Sequence, residues 1–118
     1  MSSTIYCLSM IIFMEGSITS EQTKRFIADV AIERASRSNK SICEVMKQPK
    51  VFSWMWDGKN TPVSKAHLEE KYYKLAKEEI KRPMMKGRIY FNECKSARTG
   101  RRFKTTASLV KSDNLCFY

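Results

Sequence analysis

The feature that most constrains the fold is an apolar run near the start of the chain, at residues 5–13. It is far shorter than the ~20 apolar residues that a membrane span requires. No basic residue precedes it and no small-residue cleavage site follows it, so it does not fit a signal peptide. We therefore predict a buried first helix over residues 4–15, ending where Gly16 follows. With 118 residues, the chain is long enough for one compact domain, residues 1–118, and too short for two.

Three further helices are predicted from capping signals and from the helical spacing of apolar residues. The second begins with residue 19 or 20 as its N-cap, and Gln22 is placed for a capping box. A short third helix opens with the Ser-x-x-Glu sequence of residues 41–44. The longest helix is predicted over residues 61–82, from a Thr-Pro start to the closing Pro83.

The pattern changes in the last third of the chain. Short segments rich in β-branched and aromatic residues predict strands at residues 89–91, 103–110 and 115–118, joined by basic turns. Helices first and a small sheet late in the chain predict an α+β domain.

The chain is strongly basic, with a formal net charge of +10 from 22 basic and 12 acidic residues. The surplus is concentrated in residues 86–111, where Glu93 is the one acidic residue. The eight basic residues there are Lys86, Arg88, Lys95, Arg98, Arg101, Arg102, Lys104 and Lys111. This surplus predicts a negatively charged partner, such as nucleic acid, an acidic membrane face or a phosphate-bearing envelope polymer. A solvated surface that keeps the protein soluble is the alternative, and charge alone does not name a ligand.

Four cysteines, Cys7, Cys43, Cys94 and Cys116, lie far apart, and the chain has a single histidine, His67. We predict no metal site, because zinc ligands normally come as closely spaced pairs. Disulfides and buried free thiols both remain open, the former if the protein acts outside the cytoplasm. For any bridge, Cys7–Cys43 is the expected pair, because both residues lie on early helices that should pack together. His67 is expected on the surface of the long charged helix, and no Gly-rich phosphate loop points to a nucleotide-dependent enzyme.

Glu15 is the candidate catalytic residue. It directly follows the apolar run and would end the first helix, beside the negative end of the helix dipole. Apolar surroundings and the dipole are both expected to raise the pKa of such a carboxyl group. Cleavage of a glycosidic bond needs an acid of this kind near the leaving oxygen. The alternative is an exposed glutamate at a helix terminus.

A second candidate is the aromatic segment at residues 52–56. Sugar rings stack their C–H faces on indole, so tryptophans beside a turn suit a glycan groove. Phe52 and Trp54 would alternatively fill the core. Asp57 is a possible second carboxylate, although Asp57-Gly58 is first of all a turn signal.

Five motifs follow one another along the chain. They are Cys7-Leu8-Ser9 with Phe13-Met14-Glu15-Gly16, the helical residues 26–34, Ser41-Ile42-Cys43-Glu44-Val45, Phe52-Ser53-Trp54 with Asp57-Gly58-Lys59, and Ile89-Tyr90-Phe91-Asn92 with the closing Phe117-Tyr118. In this order and at this spacing they resemble the SleB-type cell-wall hydrolases, a family named for spore-cortex lysis and also used by phages as lysins.

The resemblance implies a lysozyme-like fold, mainly helical with a small antiparallel sheet in the C-terminal third, in which a helix presents one catalytic glutamate at Glu15. It also implies lytic transglycosylase cleavage between N-acetylmuramic acid and N-acetylglucosamine, without a cofactor. One carboxylate then suffices, because the nucleophile is the 6-hydroxyl of the muramic acid itself. The substrate-binding residues expected from the matching motifs are Phe52, Ser53, Trp54, Asp57, Tyr90, Asn92 and Tyr118.

The sequence departs from the family pattern at several positions. Gly16 and Ser17 replace Ala-Arg after the glutamate, Glu33 replaces an Asn, and Val51 replaces a Gln. A histidine expected near the C-terminus is replaced around Leu115. These departures concern residues around the acid and not the acid itself.

The leading hypothesis is a monomeric peptidoglycan-cleaving enzyme, used as a phage endolysin in host lysis. It would be made in the host cytoplasm without a clear signal peptide and act on the cell wall, with glycan strands and anionic envelope polymers as partners. One alternative is a nucleic-acid-binding module over residues 86–111, with Tyr90, Phe91 and Phe103 as stacking residues. Another is a catalytically inactive virion protein that binds glycan.

Overall fold

Within the residues that the structure describes, four helices come first and a small sheet follows them. The computed structural model describes residues 3–16, 18–47, 69–94 and 110–118. The elements are α1 (Ser3–Gly16), α2 (Glu21–Ser38), α3 (Ile42–Met46), α4 (Glu70–Lys81), β1 (Phe91–Glu93), β2 (Val110–Ser112) and β3 (Leu115–Phe117). This mainly helical α+β arrangement, with its antiparallel sheet near the C-terminus, is the predicted fold class.

The apolar run forms the central helix, α1, which contacts α2, α3 and α4. Leu8, Ile11 and Ile12 are completely buried, and Met10 is 1% exposed. A helix that is apolar on several sides is stable in water only when neighbours cover those sides. The prediction of a buried first helix is therefore confirmed. Among the helices that the structure describes, none combines the length and apolar character that a membrane crossing needs.

Side-chain caps begin α2 and α3. Ser20 is the N-cap of α2, and its Oγ accepts a hydrogen bond from the backbone N–H of Thr23 at 3.3 Å. The predicted start is confirmed, but the predicted role of Gln22 in a capping box is wrong, because the third residue after the Ser20 cap is Thr23. In α3 the predicted box is confirmed: the backbone N–H of Glu44 donates to Ser41 Oγ at 3.1 Å, and the Ser41 N–H donates to the Glu44 carboxylate at 3.0 Å.

The helix α4 is shorter than the helix predicted over residues 61–82. It begins at Glu70 because the backbone of Glu69 is extended, with φ −70° and ψ 148°, and a helix does not continue through such a residue. The predicted Thr-Pro start and His67 lie outside the described residues. The inner face of α4 includes Tyr72, Leu75 and Ala76, which are buried.

The sheet is antiparallel, with β3 in the middle between β1 and β2. Phe117 of β3 is fully buried and opposes both Phe91 and Val110. Its ring meets the ring of Phe26 on α2 edge-on, at a centroid distance of 5.4 Å. One face of the sheet therefore packs on α2. Of the strand predicted over residues 103–110, Val110 is described and lies in β2, and the remaining residues lie outside the described part of the chain.

All four cysteines form disulfides, so the disulfide alternative is confirmed over buried free thiols. The predicted bridge Cys7–Cys43 joins α1 to α3, with an S–S distance of 2.06 Å. A second bridge, Cys94–Cys116, joins the end of β1 to β3. Its pairing was not predicted, because it depends on how the strands align.

Two carboxyl groups are buried together between α2 and α4. Asp29 is 2% exposed and Glu79 is 1% exposed. Glu79 accepts hydrogen bonds from Arg25 at 2.8 Å and from the backbone N–H of Met84 at 3.1 Å, whereas Asp29 accepts from the N–H of Met85 at 2.9 Å. Burial, reinforced by a hydrogen bond and repulsion from Glu79, raises the pKa of Asp29 to about 8. A protonated Asp29 can then share its proton with Glu79.

Candidate active site

Glu15 lies one residue before the end of α1, where the sequence predicted it, and its side chain is half-buried. The helix ends at Gly16, where a Cβ atom would come within 2.6 Å of Ile27 Cδ1 on α2. The missing side chain therefore lets the end of α1 approach α2 closely. Thr19 closes the connection, because both its backbone N–H and its hydroxyl donate to the Gly16 carbonyl, at 3.1 and 2.7 Å.

A cavity of about 600 Å³ opens beside Glu15. This volume lies within the range of about 300–1,000 Å³ that is typical of ligand sites. On the helical side, the turn residues Ile18 and Thr19 complete the wall with Glu15, and Ile18 is 98% exposed. On the sheet side, the wall includes Glu93, Cys94, Lys111, Asp113 and Asn114. The cavity thus lies between the end of α1 and one end of the sheet.

Two further carboxylates line this cavity, Glu93 and Asp113, and sequence analysis did not find them as site residues. Glu93 ends β1 and is exposed. The pKa of Asp113 is held below its usual value by hydrogen bonds from Thr23 and Ser20, so Asp113 stays ionised. The described cavity wall carries three acidic residues, Glu15, Glu93 and Asp113, and one basic residue, Lys111. This wall is therefore acidic, although the whole chain is basic. The only sequence signal near these residues is the Ser-Asp-Asn segment at residues 112–114. Such a segment is typical of a turn and does not by itself indicate a functional site.

Three predicted substrate-binding residues, Tyr90, Asn92 and Tyr118, lie together at the other end of the sheet. The amide nitrogen of Asn92 donates to Tyr118 Oη at 2.8 Å, and the rings of Tyr90 and Tyr118 are 5.6 Å apart. The guanidinium of Arg34 lies 4.7 Å from the centre of the Tyr90 ring. None of the three is among the residues that line the Glu15 cavity. Tyr90 instead borders a separate shallow depression with Arg34 and Arg37.

The other predicted substrate-binding residues, Phe52, Ser53, Trp54 and Asp57, lie outside the described residues, and their role stays a prediction. Within residues 3–16, 18–47, 69–94 and 110–118, no group of three or more His, Cys, Asp or Glu side chains is arranged to hold a metal ion.

A helix-end carboxylate beside a polar cavity is an arrangement suited to acid catalysis on a bound ligand, and comparison with known families defines the class. The family model described as Cell Wall Hydrolase matches residues 19–118. The chain therefore belongs to the SleB-type cell-wall hydrolase family, and it is a peptidoglycan-degrading enzyme. Comparison with curated proteins and with solved structures gives no significant match. Glu15 lies before the matched range, so the family match does not itself assign it a role.

Proposed function

We propose that this cell-wall-degrading enzyme is a lytic transglycosylase that cleaves the β-1,4 bond between N-acetylmuramic acid and N-acetylglucosamine in peptidoglycan. The observation that carries the proposal is the position of Glu15, half-buried at the C-terminal end of α1 and lining a cavity of about 600 Å³. The negative end of the helix dipole and the partial burial both favour the protonated form of a carboxyl group there. Glu15 can therefore carry the proton that the leaving group needs.

The proposed reaction uses Glu15 twice. As an acid, it gives its proton to the glycosidic oxygen while the bond from that oxygen to C1 of the muramic acid breaks. As a base, it takes the proton of the muramic 6-hydroxyl while O6 forms a bond to C1. The products are a 1,6-anhydro end and a free 4-hydroxyl, and Glu15 returns to its protonated state. No water is consumed and no second carboxylate is required.

A hydrolytic, muramidase-type reaction is the second candidate, and the position of Glu93 favours it. A two-carboxylate glycosidase needs a second acidic group across the scissile bond to hold a water or to act as the nucleophile. Glu93 lines the same cavity as Glu15, on the opposite, sheet-side wall. Asp113 is less suited to this role because its carboxylate already accepts hydrogen bonds from Ser20 and Thr23. Hydrolysis would leave reducing ends instead of anhydro ends.

The wider role that we propose is that of a phage endolysin acting on the wall as a monomer. Two disulfides support action outside the reducing cytoplasm, where such bonds persist. The net charge of +10 supports attraction to anionic envelope polymers around the glycan. Tyr90, Asn92 and Tyr118 bring together two neighbouring rings, tilted by 31°, and an amide, which would suit sugars bound at a distance from Glu15.

Substitution of single glutamates tests the proposal on purified sacculi. Glu15→Gln removes the proton and keeps the shape, and we expect it to slow clearing by at least about 100-fold. Glu70→Gln is the matched control on the exposed start of α4, and it should clear at the wild-type rate. Glu93→Gln should stay close to the wild type for a transglycosylase and should lose activity comparably to Glu15→Gln for a hydrolase. If Glu15→Gln clears sacculi as fast as the wild type, the proposed mechanism is wrong.

The same preparations test the nucleic-acid alternative. A phosphate backbone that entered the cavity would be repelled by the carboxylates of Glu93 and Asp113. We therefore expect weak duplex binding that vanishes at moderate salt. Tight duplex binding with a steep salt dependence, together with intact sacculi, would favour the alternative.

A further inference from the structure

The turn between β2 and β3 is bonded to the start of α2, far away in sequence. Asp113 adopts the left-handed conformation, φ 53°, which aspartate tolerates better than most residues. One oxygen of its carboxylate, Oδ2, accepts hydrogen bonds from the backbone N–H of Ser20 at 3.0 Å and from the Ser20 hydroxyl at 2.8 Å. The hydroxyl of Thr23 donates to the same oxygen. A carboxylate here caps α2 and is also favoured by the positive end of its dipole.

Neighbouring residues hold the same turn from other directions. The hydroxyls of Thr23 and Ser112 are hydrogen-bonded at 2.6 Å, and both side chains are buried. The carbonyl of Asn114 accepts the backbone N–H of Cys94 at 2.8 Å. The turn is therefore fixed to α2 on one side and to the end of β1 on the other.

The hydrogen bonds around Asp113 extend to the end of α1, where Glu15 lies. Thr19, which precedes the Asp113-bound Ser20, is hydrogen-bonded to the Gly16 carbonyl at the end of α1. The ammonium group of Lys24 also donates to the carbonyl of Thr19. The helical wall and the sheet wall of the cavity thus meet at Asp113, through side-chain contacts that join residues about ninety positions apart.

We propose that Asp113 is a positioning residue that fixes the separation between Glu15 and the sheet wall of the cavity. The inference rests on the proposed function, because it assigns to Asp113 the alignment of a bound glycan with the acid. Asp113 itself moves no proton, since three donors engage the carboxylate. An error of about 1 Å in the placement of a reacting group can cost about 100-fold in rate, so loss of this contact should reduce turnover more than binding.

Three variants test the inference in the full-length protein. Asp113→Ala removes the acceptor, and Asp113→Asn keeps an oxygen that can accept the Ser20 N–H. Glu33→Ala is the matched control, because Glu33 likewise accepts a backbone N–H, that of Gly87 at 2.9 Å. Although the resemblance places Glu33 around the acid, Glu33 is not among the residues that line the cavity. Activity is measured on soluble glycan strands, and hydrogen exchange is measured at the amide of Ser20.

We expect Asp113→Ala to lower kcat by about 10- to 100-fold with KM within about threefold of the wild type. Both limbs of the pH–rate profile should stay in place, and the Ser20 amide should exchange faster while the interior of α2 stays protected. Asp113→Asn should recover much of kcat. Glu33→Ala should retain the wild-type kcat. If Asp113→Ala does not fold, the kcat values of Asp113→Asn and Glu33→Ala are compared. A lower kcat in Asp113→Asn supports the inference, and equal kcat values reject it.

Other outcomes would overturn the inference. If Asp113→Ala keeps the wild-type kcat while the Ser20 amide exchanges faster, Asp113 is not a positioning residue. The proposed function then stands if Glu15→Gln is inactive in the same assay. Equal losses in Asp113→Ala and Glu33→Ala would show a general effect on the fold. A shifted limb of the pH profile would give Asp113 a role in proton transfer. A wild-type protein without activity would overturn the proposed function together with this inference.

Discussion

Asp29 and Asp113 are both aspartates of the same small domain, and their surroundings shift their pKa values in opposite directions. Asp29 is buried next to the carboxylate of Glu79, so its charged form is disfavoured and its pKa rises to about 8. Asp113 is exposed and receives hydrogen bonds from Thr23 and Ser20, which favour its charged form and lower its pKa. Burial and donor count, not residue type, decide which of them is ionised at neutral pH.

The raised pKa of Asp29 predicts a specific loss of stability with rising pH. An unfolded aspartate releases its proton near pH 3.9, whereas folded Asp29 keeps it until about pH 8. The folded state therefore binds more protons between these values, and the free energy of unfolding should fall as pH rises through this window. The carboxylates with lowered pKa, such as Glu33 and Asp113, act in the opposite sense, and their contribution is present above their unfolded pKa values of about 4.

Urea unfolding of the wild type and of Asp29→Asn at pH 5, 6, 7 and 8 measures this effect. Asparagine cannot ionise and can still accept the N–H of Met85, so the wild type should lose stability relative to the variant as pH rises. Parallel curves for the two proteins would contradict the assignment.

The sequence predicts Glu15 as a site residue, but it does not predict the other carboxylates of the cavity. An apolar run that ends in Glu15-Gly16 is a local signal, and a helix end carries the glutamate to a defined place. Glu93 and Asp113 reach the cavity only because strand pairing and the contact between Asp113 and Ser20 bring distant segments together. No local pattern contains that information.

The helices α2 and α4 are joined by one cation at their interface. Arg25 on α2 binds Glu78 at 2.7 Å and Glu79 at 2.8 Å on α4, and 18% of its side chain is exposed. Removing one partner of a buried ion pair costs about 3–5 kcal/mol, because the other charge is left without compensation. Arg25→Gln should therefore destabilise the protein strongly, through the buried Glu79.

Arg37→Gln is the matched control for this prediction. Arg37 pairs with Glu33 at 3.1 Å on the surface of α2, and 52% of its side chain is exposed. Exposed pairs contribute roughly 0–1 kcal/mol. Chemical unfolding of both variants should give a much larger loss for Arg25→Gln, and equal losses would argue against a stabilising role for the interface cation.

Element prediction succeeded where the signal was local. The Ser-x-x-Glu box placed α3, and the apolar run placed α1. The prediction for α4 extended too far, because the residues before Glu70 have a composition that suits a helix, whereas the backbone of Glu69 is extended. The strands are only three residues long, and their pairing order β1–β3–β2 depends on contacts that no short segment specifies.

Two disulfides constrain the whole molecule in different places. Cys7–Cys43 joins two core helices across 36 residues of sequence, and Cys94–Cys116 closes 22 residues at the wall of the cavity. Each bridge typically contributes about 2–4 kcal/mol, by restricting the unfolded chain. Reduction should therefore lower the Tm markedly.

The paired variants Cys7→Ser/Cys43→Ser and Cys94→Ser/Cys116→Ser separate the two contributions. Both should lower the free energy of unfolding, and the second should also reduce activity in conditions where the protein remains folded, because Cys94 lines the cavity. Unfolding and activity measured with and without reductant test this. An unchanged Tm under full reduction, verified by thiol titration, would contradict the bridges.

The molecule as a whole combines a basic chain with an acidic cavity, and we assign cleavage to Glu15 within that cavity. Mass spectrometry of the muropeptides released from purified sacculi tests this assignment most directly. We expect 1,6-anhydro-muropeptides from the wild type and none from Glu15→Gln. Reducing ends from the wild type, or the same products from Glu15→Gln, would contradict it.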